Sequence, residues 1–551
     1  MKTIISILLF SLMIGMQGNA QVAFQKTYGG MSMETCYDAK QTKDMGYIMV
    51  GLTYSFGAGY SDVYLVKTDS IGEIQWTRTY GGNDDDGGYY VEQTADSGYV
   101  IIGYTFSFGF GQEDVYIIKT DFNGDTLWTK TYGYTKYEHG TCIKQTPSGG
   151  YVFTGNTYSY NGYNSNLLLV GLDASGNQTW MDTYGGDTLF TEGNSIHQTW
   201  DGGYIVVGSS ASFSPNPNPY LSHIYLLKTN ALGSLLWSKT YGGNNEDYGY
   251  DARQSSDGGF IICGTTHSFG AGNGDIYLIK TDNTGNVIWS KTYGGPNFDD
   301  GRSVHELLNG GYLIGGTTEN YGGVNSYVCL LKTDASGTLL FSETFGGSSC
   351  SNSGISVQQT HDGGCMVAGT TCSFPDTTIH LYGNDFYLMK TEYFDNSLCS
   401  NGTVNLTTSS AATTVRNVFT VQGPTNSPLH GPFEEPTQTS VGTGGLSESH
   451  CFEIGIHEPK NKDIATFVFP NPCKDYTIIT ITNGEKITND INLQLFDVMG
   501  REIQIQYELI ASSPNEYTIT LNTYNLPYGV YICRIKEGDS FVKGLKVIVD
   551  R

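Results

Sequence analysis

The residues best equipped for chemistry fall in short acidic and aromatic clusters that recur along the chain. Asp84, Asp85 and Asp86, then Glu246 and Asp247, then Asp299 and Asp300 each follow a phrase reading "TYGG". Phe56, Phe108 and Phe269 hold matched places in a second set of glycine-rich segments. Aromatic faces stack on pyranose rings and carboxylates accept hydroxyl protons, so the pairing suits sugar binding. Clustered carboxylates also suit Ca2+, which takes about six to eight oxygens. No EF-hand spacing occurs in register, so Ca2+ is a candidate ion without a defined metal site, and no other cofactor is indicated. The competing reading is structural: the acids solvate a rim and the rings fill the space beneath the loops.

Catalytic signatures are missing. There is no GxSxG, HExxH or GxxxxGK[ST], and the 10 histidines fall at irregular places. No catalytic residue is therefore assigned. The best place for a single specific site is the stretch that departs most from its neighbours, "GGDTLFTEGNSIHQTW" (185–200) and the insert at 214–223, around Glu192, His197, Trp200 and His223.

These clusters belong to a repeat. The "TYGG" tyrosine recurs at Tyr28, Tyr80, Tyr132, Tyr184, Tyr241 and Tyr293, with Phe345 in the seventh place. Five intervals are 52 residues and the one that spans the insert is 57. Each unit holds four strand-like runs separated by Gly, Asn and Asp turns, which is the pattern of a propeller blade. Residues 275–295, "DIYLIKTDNTGNVIWSKTYGG", resemble the outer hairpin of quinoprotein-type propellers. The last copy stops after its third strand near 385–392, and the first begins with a spare outer strand at 22–28. Pairing the two would close a seven-bladed ring and hide both edges. The glutamines at 41, 93, 145, 198, 254 and 359, with Glu306, then lie on the inner strands and are expected to ring the channel.

Bulk properties narrow the partners. The formal charge of −25 repels nucleic acid and anionic lipid, and both are excluded. The opening "MKTIISILLFSLMIGMQGNA" reads as a signal peptide over 1–20, and no later stretch reaches the roughly 20 apolar residues a spanning helix needs. Of the 11 cysteines, Cys350, Cys365 and Cys372 within one repeat, and Cys399 and Cys451, are the disulfide candidates.

The domains expected are the signal peptide (1–20), a seven-bladed β-propeller (21–392), a Thr/Ser/Gly/Pro-rich linker (393–463) and a small C-terminal β-sandwich (464–551), all-β throughout. The last segment contains "FPNP" with Pro470, Asn471 and Pro472, "LFDVMGREI" with Asp497, Gly500 and Arg501, "LPYGVYICRI" with Gly529 and Tyr531, and a closing "KGLKVIV" with Lys546. In these blocks it resembles the type A C-terminal sorting domain of Bacteroidetes type IX secretion cargo. The resemblance implies type IX machinery and a sortase-like protease as partners, and a secreted or surface-attached product. Near-equal repeats favour a binding scaffold over an enzyme, with polysaccharide as ligand. The alternatives are a polysaccharide hydrolase or lyase sited at the propeller mouth, and a protein-interaction platform.

Overall fold

Runs of seven or eight residues rich in Val, Ile, Tyr and Thr, bounded by Gly and Asp, form strands throughout. The computed structural model describes residues 22–391, apart from 162–163, 187–188, 214–220, 308–309, 321–324, 348–349 and 373–382, and beyond them chiefly the strands named below, up to 549. Residues 1–20 and most of the insert lie outside the described residues. Among the described residues there is no helix, and so none that is long and apolar enough to cross a membrane.

Seven antiparallel sheets build the first unit. Their innermost strands are Glu34–Gln41, Asp86–Gln93, Glu138–Gln145, Thr191–Gln198, Asp247–Gln254, Asp299–Glu306 and Asn352–Gln359, which define blades 1 to 7. Each inner strand touches the next, and the strand of blade 7 touches that of blade 1. Blade 7 takes its fourth strand from the start of the chain. Val22–Gly29 pairs antiparallel with Asp385–Thr391, placing Phe24 opposite Lys390 and Tyr28 opposite Phe386. A hydrophobic cluster of Phe24, Tyr28, Tyr47, Tyr64, Phe386 and Leu388 fills the seam between blades 7 and 1, as its counterparts fill the other six.

The repeat phrases are explained at these seams. The "TYGG" tyrosine of one blade donates its hydroxyl to the carbonyl of the glycine in the next blade's outer hairpin turn. Tyr28 reaches Gly72 at 2.8 Å, Tyr80 reaches Gly124 at 2.6 Å, and Tyr241 reaches Gly285 at 2.7 Å. Tyr132, Tyr184 and Tyr293 bond Gly176, Gly233 and Gly337 in the same way. The outer-strand tryptophan packs on the same turn: a Cβ on Gly124 would come within 2.8 Å of the Trp76 ring, and that glycine has φ +79°. Only glycine serves, on both counts. No hairpin joins the last two strands of blade 7, which come from distant parts of the chain. The residue that would have bonded to such a turn is Phe345, which lacks the hydroxyl.

Lysines on the third strands are structural, as their repetition suggests. Lys67 bonds the Thr68 carbonyl and Asp44, both at 2.8 Å, and Lys119, Lys228, Lys280 and Lys390 repeat the arrangement. The glutamines that end the inner strands tie neighbouring blades together. Gln93 and Gln145 each accept a turn N–H of the preceding blade, from Lys43 and Ala95, at 2.8 Å.

At the opposite end, each inner strand of blades 2, 5 and 6 opens with a buried aspartate that organises the preceding loop. Asp86 accepts the Gly82 N–H at 2.8 Å, Asp247 that of Gly243 at 2.9 Å, and Asp299 that of Gly295 at 2.9 Å. A second carboxyl stands close by: a Cβ on Gly81 would meet Asp62 Oδ1 at 2.0 Å and Asp86 Oδ2 at 2.7 Å. Burial pushes Asp62, Asp114 and Asp299 up to about 6, with a neighbouring carboxylate adding to the effect.

Part of 393–463 also joins the blades. Gly402–Thr403, Thr407–Ser410, Thr414–Asn417, Val421–Gln422 and Leu446–Phe452 add antiparallel fifth strands to the outer edges of blades 6, 5, 4, 3 and 7. Of the cysteine candidates, Cys350 and Cys372 form a disulfide, while Cys365 is a buried free thiol.

The second unit, Ile454–Arg551, contains two four-stranded antiparallel sheets. One orders Ile464–Phe469, Tyr476–Asn483, Glu516–Asn522 and Tyr507–Ser513; the other orders Glu502–Ile503, Ile491–Asp497, Gly529–Glu537 and Ser540–Val549. Ile479, Leu495, Ile519, Leu521 and Cys533 are fully buried in it.

Two outcomes follow for stability. Tyr80→Phe should cost about 1 kcal/mol in chemical denaturation, one net hydrogen bond. Phe345→Tyr, which buries a hydroxyl that no carbonyl of a described turn faces, should destabilise by about 1–3 kcal/mol rather than restore the pattern. The pH dependence has two arms. Asp62, Asp114 and Asp299 have folded values raised above the unfolded value of about 3.9, so their share of stability falls as pH rises through about 6. Asp201 and Asp282 are held down to about 2: against a desolvation that works to raise them, hydrogen bonds win, from Thr199 and Lys228 for the first and from Asn286 and Thr284 for the second. Their share is lost as pH falls below about 4. On these five carboxyls melting temperature should therefore peak near pH 4 and fall toward pH 6, and Asp62→Asn should raise it more at pH 8 than at pH 4.5.

Candidate functional site in the central channel

The structure distributes the sequence-predicted ligand residues rather than gathering them. Asp86, Asp247 and Asp299 are fully buried in the loop seams described above. Asp85 accepts the Ser61 hydroxyl at 2.8 Å. Asp300 is buried against Thr265 and Arg302. Phe56, Phe108 and Phe269 sit beneath their loops on Tyr64, Tyr116 and Tyr277, with ring centroids 5.6, 5.8 and 5.8 Å apart. Trp200 is 69% exposed, on a tight turn at the far end of blade 4. His223 is buried, its Nε2 3.0 Å from the Gly243 carbonyl. Among the described residues no group of three or more His, Cys, Asp or Glu side chains could hold a metal ion.

Glu192 and His197 do meet other chemistry, in a cavity of about 360 Å³ along the channel axis. A repeated backbone device builds it. Every inner strand carries a β-bulge at its fourth residue, shown by register shifts between Cys36 and Asp38, Gly88 and Tyr90, and the equivalent pairs of the other five blades. A bulge leaves one residue out of the ladder and re-aims its side chain. The seven bulge residues are Tyr37, Tyr89, Thr141, Asn194, Tyr250, Arg302 and Ile355, and all seven line the cavity. In an otherwise near-repetitive strand, this position differs from blade to blade. That variation is the signal that sequence reasoning passed over.

Below the bulges lies a charged layer. Asp251 is its hub: it accepts from Ser195 Oγ at 3.1 Å, from the Val304 N–H at 3.1 Å and from Arg253 Nε at 3.2 Å, and it lies 3.3 Å from His197 Nε2. Burial works to raise this carboxyl, but Arg253 and His197 outweigh it and hold it well below the usual range. Burial, together with the nearby cations, drives His197 and His305 down to about 4, so both are neutral at pH 7. Lys144 pairs with Glu92 at 2.9 Å, and the ammonium groups of Lys40 and Lys144 lie 4.7 and 4.6 Å from the Tyr90 ring centre. Nearer the mouth, Arg302 stacks 3.9 Å above the Tyr250 ring, whose hydroxyl burial pushes up to about 12. His139 Nε2 is 2.9 Å from the Asn156 amide, and burial raises the Glu192 carboxyl.

Sorting-motif residues fall partly within the description. Pro470, Asn471, Pro472, Gly500 and Arg501 lie outside the described residues. Asp497 ends its strand opposite Tyr531, which is buried, Gly529 faces Val549, and Lys546 faces Ile532.

No curated protein of similar sequence was found. Among solved structures, a GH43_12 protein retrieved from capybara gut metagenome is 9% identical over 96% of this chain and 95% of its own, with a TM-score of 0.26. Surface layer protein SbsC, domains 4–9, is 10% identical over 69% of this chain and 44% of its own, with a TM-score of 0.13. At TM-scores this low, neither likeness speaks to fold or function. Residues 467–550 match the family described as "Secretion system C-terminal sorting domain". The chain is thus a seven-bladed propeller carrying a type IX C-terminal sorting domain, which marks it for export and for secretion or surface attachment.

Proposed function

We propose that the exported protein is a binding scaffold that holds polysaccharide in the mouth of its central channel. The observation that carries this reading is the bulge layer. It is the place where a sevenfold structure becomes asymmetric, and it presents Tyr37, Tyr89 and Tyr250 beside Asn194 and Arg302. Flat apolar rings with hydrogen-bonding groups between them match the alternating faces and hydroxyls of a sugar. Binding without cleavage fits the state of the carboxylates. Asp38, Asp251 and Asp300 are committed to wall donors, which leaves no second free acid for a glycosidase pair. Glu192 favours a second reading. It is a carboxyl with raised pKa facing the cavity, as a general acid would be.

A panel of polysaccharides and a glycan array, offered to the full chain with and without Ca2+, separates the readings. Binding without new reducing or unsaturated ends is expected, with Tyr250→Ala weakening it at least tenfold. Release of new chain ends, abolished by Glu192→Gln, would establish the enzyme instead. A protein ligand with no glycan bound would establish the platform. Separately, deleting residues 467–550 should leave the propeller folded and block its appearance outside the cell, read by surface proteolysis and circular dichroism; normal delivery would refute the role of the domain.

A further inference from the structure

The charged side chains around the channel are not equally presented to its interior. Lys40 pairs with Asp38, Arg253 with Asp251, and Arg302 with Asp300. The side chains are 21% against 7%, 26% against 8%, and 40% against 6% exposed, cation first. In each pair the carboxylate is set back in the wall. Asp38 accepts the Val91 N–H at 3.3 Å, Asp251 accepts from Ser195 and Val304, and Asp300 accepts from Thr265. The basic tips stand forward. Arg302 engages Asp300 through Nε and lies on Tyr250, and its Nη edge makes no hydrogen bond among the described residues. Arg253 uses Nε for Asp251 and Nη1 for His305, leaving Nη2. The two histidines of this layer are neutral and add no charge of their own.

We propose that the sugar held in the channel is acidic, its carboxylate or sulfate taken by the Nη edge of Arg302 with Arg253 and Lys40 behind it. This rests on the glycan reading and narrows it. A guanidinium edge and two oxygens of a carboxylate or sulfate match in a two-bond fork, and such charge-assisted bonds are roughly twice as strong as neutral ones. The stacking of Arg302 on Tyr250 fixes the fork, so little rotamer freedom is lost on binding. The overall charge of −25 opposes a polyanion, but its reach is short. The Debye length is about 8 Å at physiological salt, so the distant acids are screened while contacts inside the cavity are not. Two acids oppose it: Glu92, whose pair with Lys144 runs the other way, the carboxylate 23% and the ammonium side chain 17% exposed, and Glu192 near the mouth, whose burial favours the protonated form.

The test uses matched ligands with the unmodified full chain, by calorimetry. Polygalacturonate is compared with its methyl ester, and a sulfated galactan with its desulfated form. At least tenfold weaker binding after neutralisation is expected in one arm, and that arm identifies the anion. Arg302→Gln should lose at least tenfold on the acidic form and severalfold less on the neutral one, with Arg302→Lys intermediate. The ligand comparison stands even if a variant fails to fold. If acidic and neutral forms bind equally, the acidic-sugar proposal falls while the glycan reading survives. If no polysaccharide binds, both fall.

Discussion

At six of the seven seams one blade meets the next through one buried hydroxyl and one glycine carbonyl, and the rest of the repeat follows from that contact. The tyrosine must end an outer strand, and the glycine must sit in a left-handed turn one blade later. The tryptophan beside the tyrosine then covers the turn. This geometry recurs at 44 residues between partners in five of the six bonds, and at 49 across the longer copy. A single bond of this kind is worth about 1 kcal/mol, but it aligns seams filled with about ten buried side chains each, where most of the stabilisation lies. The exception at Phe345 shows the rule to be physical. Where the ring is joined by strand exchange no hairpin links the two outer strands, and no hydroxyl is supplied.

So regular a frame leaves few positions for function. Core-facing positions are occupied by packing, the glycines by close approach, the loop aspartates by backbone N–H groups, and the strand-end glutamines by neighbouring turns. What remains is the bulge residue, aimed into the channel seven times, and the charged layer below it. A frame of this kind can change what its channel presents by changing seven side chains without touching the seams. That separation explains why the clusters that first suggest sugar chemistry, such as Asp86 or Phe108, belong instead to the structure of the loops.

Much of the fold was legible in the sequence because it is written periodically. The spacing of 52 residues marks the blades, the spare strand at 22–28 matches the missing one after 385–391, and the blocks from Asp497 to Tyr531 mark the sorting domain. The site was harder to read for a definite reason. Repeats draw attention to what recurs, whereas a bulge is a backbone irregularity with no strong residue preference, and its side chains are informative only by differing. Glu192 and His197 were reached because their copy departs from the others. Tyr37, Tyr250 and Arg302 were not, because their copies look ordinary.

The stretch read as a linker shows the same limit in another form. Its Thr- and Ser-rich composition resembles a flexible spacer, yet these residues are also acceptable strand formers. The outer strand of every blade offers an unpaired row of N–H and C=O groups, the usual weakness of an open sheet edge. Once such an edge is nearby, short strands with little hydrophobic content can pair to it through backbone alone. Five of the seven outer edges are covered in this way between Gly402 and Phe452, and the first unit accordingly extends to Glu453 rather than ending with its last blade. An occupied edge no longer offers a template for pairing with another chain, so the composition that hides this segment in the sequence is also what lets it serve without adding a core of its own.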